Sequence, residues 1–273
     1  MASLFQEVPR KTIFLIWRSR KPSPRQRQNQ ILREKLSVLF VANRKVYGSP
    51  RLRVCLLKEG FPCSRNRVAR QMRDLHLKAR QKRSFKPKTT DSNHPNPIAK
   101  NLLSVVGKPQ STNRVWVSDI TYIFTAQGWL YLAAVMDLYS RKIVGWSTAH
   151  HLKTTLVEQA LLQAAHGRCP KAGLLHHSDR GVQYASANYR QMLSSLKALP
   201  SMSSTGNCYD NAAMESFWST LKTEWLHHKN FQTRDQASLA IFDFIETFYN
   251  PKRLHSALGY QSPVDFESRN TRE

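Results

Sequence analysis

Apolar positions along residues 25–46 (RQRQNQILREKLSVLFVANRKV) recur at helical spacing, with Ile31, Leu32, Leu36, Leu39 and Phe40 in one stripe. The YGSP at 47–50 reads as a turn, and a second helix is predicted over Arg51–Glu59, stopped by Gly60. Ser64 is placed to cap a third helix whose Val68, Met72 and Leu75 face inward. Residues 79–97 (ARQKRSFKPKTTDSNHPNP) hold few apolar positions and read as a linker. Beyond it the period changes. Arg114–Thr125, Trp129–Tyr139 and Lys142–Thr148 are β-rich and separated by short turns, which predicts a three-stranded meander. A helix is predicted at Thr154–Ala165, then a short strand at Leu174–Ser178. Further helices should start near Ser186 and at Asn211, with a last one over Arg234–Asn250. Three antiparallel strands followed by alternating helices and strands point to an α/β sandwich with a mixed sheet.

Charge divides the chain the same way. Its formal net charge is +24, but residues 1–100 hold 25 Lys and Arg against 5 Asp and Glu, and residues 101–273 hold 17 against 13. A basic all-α module and linker, 1–100, therefore precedes a nearly balanced unit, 101–273. In the third helix Arg65, Arg67, Arg70 and Arg73 are placed outward. Helix, glycine turn and arginine-studded helix form the pattern of a helix-turn-helix DNA reader. A plain helical hairpin with a solvated basic face would share the spacing. The arginines favour DNA, and they are the candidate contacts to it. A membrane surface would attract the same charge, yet the apolar run Trp129–Met136 is too short to span a bilayer. The four cysteines form no C-x-x-C pair, which argues against a disulfide framework or a Cys-rich zinc site and for a reducing cytosol. The adjacent pair His176-His177 is weak evidence for a metal, because neighbours on a strand point to opposite faces.

Three carboxylates stand at telling places. Asp119 lies mid-strand between Val117 and Ile120, where a carboxylate needs a partner. Asp179 follows the strand LLHHS at the carboxyl end of the sheet, where α/β sites collect. Glu215 lies in DNAAMESFWSTLK, residues 210–222. There Met214, Phe217, Trp218 and Leu221 form an apolar helical stripe, and Asn211, Glu215 and Lys222 follow one of its margins. Each has a bland alternative: Asp119 paired with Arg180, Asp179 as a turn residue, and Glu215 favouring the positive end of a helix capped by Asp210. Three carboxylates from three separate elements suit metal-assisted phosphoryl transfer, in which two divalent ions about 3.5–4 Å apart serve the attacking and leaving oxygens. Hard Mg²⁺ prefers such oxygen donors, and Mn²⁺ is expected to substitute. The H-x-x-R of His177–Arg180 would suit a tyrosine recombinase, but Gly181 breaks that pattern.

The three acids have 59 and then 35 intervening residues, the D…D(35)E spacing of retroviral-type integrases and DDE transposases. The words WVSDITYIFTAQGWLYLAAVMDLYSRKIVGW, HSDRGVQYAS, SMSSTGNCYDNAAMESFWSTLKTE and FYNPKRLHSALGYQSP resemble the OrfB transposase of the IS-three family of insertion sequences over about residues 20–268. The resemblance implies an RNase H-like mixed sheet flanked by helices behind a small helix-turn-helix module. It also implies Asp119, Asp179 and Glu215 as catalytic, metal-binding residues for Mg²⁺. Lys222 matches the basic residue the family keeps seven positions past the glutamate, and Lys222 and Asn211 become candidate DNA contacts. Further implications are double-stranded DNA as partner, a homo-oligomer on it, an upstream-frame partner or fusion, no membrane, and a place at the bacterial nucleoid. The expected function is DNA strand cleavage and strand transfer. A catalytically silent DNA-binding regulator derived from a transposase is the alternative.

Overall fold

The computed structural model describes residues 21–80, 96–203 and 211–270. Most of the expected linker, and Asp210, lie outside them. The chain divides into two units, Met1–Ala79 and Arg80–Glu273.

Among the described residues the first unit holds three helices: α1 (Pro24–Ala42), α2 (Ser49–Lys58) and α3 (Arg65–Asp74). Ser23 and Gln26 start α1 with a reciprocal capping box, and Pro24 fits its first turn. Leu32, Leu36 and Phe40 are its buried face, whereas Ile31 is 47% exposed, off the stripe expected for it. The helix is also shorter than its apolar pattern. Asn43 ends it, bonding back to the Leu39 carbonyl, and Arg44 and Lys45 turn to positive φ. Ser49-Pro50 opens α2 rather than closing a turn, because proline's fixed φ already suits a first helical position. The Ser64 hydroxyl caps α3 through the Arg67 N–H, and Val68 and Met72 face inward as expected.

The second unit is built on one five-stranded sheet, ordered β3-β2-β1-β4-β5. Its strands are β1 (Val115–Thr125), β2 (Gly128–Asp137), β3 (Ile143–Ala149), β4 (Leu175–Ser178) and β5 (Leu199–Met202). The first three form the antiparallel meander, and β4 and β5 join in parallel. This is the RNase H-like arrangement. Strand β5 carries no sequence signal: LPSM is four residues long, half exposed, and contains a proline tolerated only at a sheet edge.

Besides two four-residue helical turns, Leu103–Val106 and Val182–Ala185, the described helices are α4 (Thr154–Arg168), α5 (Ala187–Ser195), α6 (Ala212–Glu224), α7 (Arg234–Phe244) and α8 (Pro263–Asn270). Trp116, Ala133 and Val135 pack with α4 and α5 in one core. On the other face, α7 meets Trp146 through Phe242 and Thr148 through Ser238, and Glu246 just beyond α7 accepts the Trp146 indole N–H. The expected last helix ends early, at Phe244, and continues as one π turn, Ile245–Tyr249. Beyond it the Asn250 amide pairs with both backbone groups of Ile143 on the outer strand β3, at 3.0 and 2.9 Å.

Gly145 marks the closest approach of β3 and α4. A Cβ there would sit 2.7 Å from the Ala164 nitrogen and closer still to the Ala160 carbonyl oxygen. Helix backbone cannot yield as a side chain can. Gly167, in α4 itself, has open space where its Cβ would go. Gly145→Ala should therefore lower the melting temperature by several degrees, as overpacking of about 1–3 kcal/mol does in a unit this size. Gly167→Ala should leave it level or raise it, since alanine favours the helix. Thermal unfolding of the two variants side by side checks both signs.

Candidate active site

Strand alternation decides where Asp119 points. It pairs with Ala134, and its neighbours across the ladder, Leu132 and Trp146, lie on the face covered by α6 and α7. The position of Asp179 follows from the parallel pairing of β1 with β4. That pairing runs at a constant offset from Val115↔Leu175 to Val117↔His177. Two residues further along each strand stand Asp119 and Asp179, so neighbouring strands deliver both carboxylates to one place. Asp179 is the first residue beyond β4, and its Oδ1 accepts the Gly181 N–H at 3.0 Å. It is thus a turn residue as well as a site residue. Glu215 lies exposed in the first turn of α6, its N–H donated to the Asn211 carbonyl.

Each Asp119 oxygen has a fixed donor. The Ile120 N–H donates to Oδ1 at 2.8 Å, and the Trp218 indole N–H donates to Oδ2 at 2.9 Å. Burial raises the Asp119 pKa to about 7, with the charge of Asp179 adding to the rise; the two hydrogen bonds pull it back, and Glu215 adds a smaller upward push. The second buried acid on the meander makes an instructive contrast. Asp137, fully buried at the end of β2, accepts the Asn113 and Tyr139 N–H groups and meets the Arg168 guanidinium at 3.4 Å. Arg168 is itself held by Glu267. Burial raises the Asp137 pKa as well, but there the N–H donors and the Arg168 guanidinium pull it back, whereas at Asp119 the charges of Asp179 and Glu215 add to the rise.

Among the described residues no three His, Cys, Asp or Glu side chains stand close enough together to hold a metal ion. Asp119 and Asp179 form a pair, and Glu215 acts on Asp119 through its charge. The donor set nevertheless fits a hard divalent cation: all oxygen, no imidazole or thiolate, and a carboxyl pushed upward by burial and by the charge of Asp179. The histidines are used otherwise. His176 Nε2 lies 2.9 Å from Ser118 Oγ and 3.0 Å from Tyr189 Oη, and burial lowers its pKa to about 3. His177 bonds to Ser201 and Ser203.

Lys222 is half-buried, with its ammonium 5.0 Å from the centre of the Tyr122 ring. Burial lowers its pKa and Asp119 raises it, so it leans toward the first aspartate as well as standing two turns beyond Glu215. Asn211 occupies the N-cap of α6 without a capping bond from its side chain, and its Oδ1 is buried with no hydrogen-bond partner among the described residues. On α3, Arg65, Arg70 and Arg73 are exposed as expected. Arg67 is not fully outward: it is half-buried, and its Nε donates to Asn29 of α1 at 3.0 Å. It borders the inward face set by Val68 and Gln71, so the neighbouring helix claims it. Trp218 is the residue that sequence reasoning left in the packing stripe. The available signal was its place three residues after Glu215, on the same helical side.

An integrase core domain matches residues 109–208, a second integrase core domain 196–263, and an HTH-like domain 26–85. The chain is 43% identical to an uncharacterized 31 kDa protein of insertion element IS600 from Shigella sonnei, covering 93% of each. It is 41% identical to the transposase for insertion sequence element IS904 from Lactococcus lactis, over 92% of this chain and 99% of that one. To transposase InsF of IS3A from Escherichia coli it is 38% identical, over 91% of this chain and 86% of that one. The chain belongs to the transposases of the IS-three family of insertion sequences.

Proposed function

We propose that this chain is an active, Mg²⁺-dependent DDE transposase that cleaves DNA strands at the ends of its element and joins them to another site. The observation that carries the reading is the delivery of Asp119 and Asp179 to one place by the parallel pairing of β1 and β4. Asp119, Asp179 and Glu215 would hold Mg²⁺ or Mn²⁺, and the bound ions supply activation of the attacking oxygen and stabilisation of the leaving one. The fixed N–H donors on Asp119 hold its carboxylate in one orientation. The Lys222 ammonium, seated on Tyr122 and close to Asp119, grips a phosphate of the terminal DNA. Asn211, one helical turn before Glu215, contacts the same strand. On α3, Arg65, Arg70 and Arg73 bind duplex phosphates, with Arg67 reaching DNA only by leaving Asn29. The working species is a homo-oligomer on DNA, with an upstream-frame partner or fusion contributing to end recognition. The silent-regulator alternative would keep the DNA binding and lack the cleavage.

Asp119→Asn, Asp179→Asn and Glu215→Gln should each reduce Mg²⁺-dependent nicking of an end substrate about a thousandfold, the equivalent of about 4 kcal/mol, with DNA binding retained. Near-normal nicking by any of the three would remove it from the site.

Lys222→Ala should weaken productive binding of a pre-nicked end, and Lys222→Arg should recover part of the loss. In the full chain, Ala at Arg65, Arg70 and Arg73 together should weaken binding to all duplex sequences. The slope of log affinity against log salt should become shallower by roughly one for each phosphate that is no longer neutralised. Binding titrations at several salt concentrations read both effects.

Metal-free stability should depend on pH through Asp119. Its folded pKa of about 7 stands above the ordinary value of 3.8, so the folded state holds the proton more tightly. That preference is fully present below pH 3.8 and is lost as pH rises through 7. In chelator, the melting temperature should fall between pH 5 and pH 8. Asp119→Asn should exceed wild type at pH 8 by about 1–2 kcal/mol, after allowing for the solvent that reaches the carboxylate. Mg²⁺ at pH 8 should raise the wild-type melting temperature and leave that of Asp119→Asn unchanged. Calorimetry with and without chelator checks each sign.

A further inference from the structure

We propose that Trp218 is a positioning residue of the metal site: its indole N–H fixes the orientation of the Asp119 carboxylate for cation binding. The proposal rests on the metal-site reading above. Trp218 is 7% exposed and packs at a tilt against Phe217, ring centres 4.8 Å apart. Phenylalanine would bury a comparable ring there without a buried N–H to satisfy. The Trp218 N–H is aimed at Asp119 Oδ2, 2.9 Å away and 99 residues distant in the chain.

The consequence is geometric. A carboxylate has about four lone-pair directions. Two are taken by N–H groups that cannot rotate freely, one on the Asp119 backbone neighbour and one on a buried ring. The carboxylate plane is therefore set before any cation arrives, and the remaining lone pairs stay available to it. Because the donor sits on α6, the helix that carries Glu215 also holds Asp119 in place. One element couples the first and third acids. Donors that orient metal ligands in this way typically contribute 10–100-fold to metal affinity.

The test is Mn²⁺ titration of the full chain without DNA, followed by electron paramagnetic resonance of the free ion. Trp218→Phe keeps the ring and loses the donor. Its Mn²⁺ affinity should fall 10–100-fold, with a melting temperature in chelator within a few degrees of wild type. Phe217→Leu thins the adjacent packing and keeps the donor, so it should retain wild-type affinity. Wild-type affinity in Trp218→Phe, or an equal loss in Phe217→Leu, would overturn the proposal. A second measurement needs no Trp218 variant. Among the indole N–H resonances of the otherwise unaltered chain, the one displaced by Asp119→Asn should also be the one that responds to Mg²⁺. An indole set that Asp119→Asn leaves untouched would refute the contact. Asp119→Asn also separates the two readings: if it binds Mn²⁺ as wild type does, the metal site itself is wrong, whatever Trp218 does.

Discussion

Two like charges delivered side by side by neighbouring parallel strands are the constraint that the second unit has to accommodate. The offset that pairs Val115–Val117 with Leu175–His177 leads directly to Asp119 and Asp179. Burial and mutual repulsion both disfavour that arrangement, and the raised pKa of Asp119 expresses it. The fold answers with fixed N–H donors, Ile120 and Trp218 on Asp119 and Gly181 on Asp179, and with the Lys222 ammonium near Asp119. Asp137 receives the opposite treatment, with Arg168 and Glu267 closing a network around it. One acid is pulled back by a guanidinium, and the other is pushed further by neighbouring acids. That difference separates a structural carboxylate from a candidate ligand in the same meander.

Helix α6 carries the remaining parts of the site, and its placement is fixed from its far end. Glu224, its last residue, forms a buried two-pronged pair with Arg253, at 2.7 and 2.6 Å. Removing one partner from such a pair leaves a buried charge and typically costs about 3–5 kcal/mol. Arg253 belongs to the segment FYNPKRLHSALGYQSP, and Asn250 in the same segment occupies the exposed backbone groups of Ile143 on the outer strand. A sheet edge left open invites pairing with another chain. The segment thus closes the sheet at one side and fastens α6 at the other, far in sequence from the acids it serves.

Much of the architecture was legible in the chain. β-rich segments separated by short turns announced β1, β2 and β3 to within two residues, because strands covered on both faces read as near-continuous apolar runs. Helix starts at Ser64 and Ser186 were readable from side chains that satisfy the first free N–H groups. Boundaries set by backbone rather than burial were not: Asn43 ends α1 inside an apolar run, and Ser49-Pro50 begins α2 where a turn was expected. Strand β5 escaped because its place comes wholly from pairing with β4.

By itself the sequence determined a basic helical module ahead of a mixed α/β unit, the identity of the three acids and their spacing, and the family to which these belong. Those are properties of composition, period and order along one dimension. Only the tertiary structure decided that Asp119 meets Asp179 while Asp137 meets Arg168, that Arg67 turns toward Asn29, and that Trp218 donates to a carboxylate instead of merely filling space. The physical reason is that a side chain's charge state and hydrogen-bond partner depend on neighbours brought within about 3–4 Å by strand register and helix packing, and sequence separation carries no record of that distance.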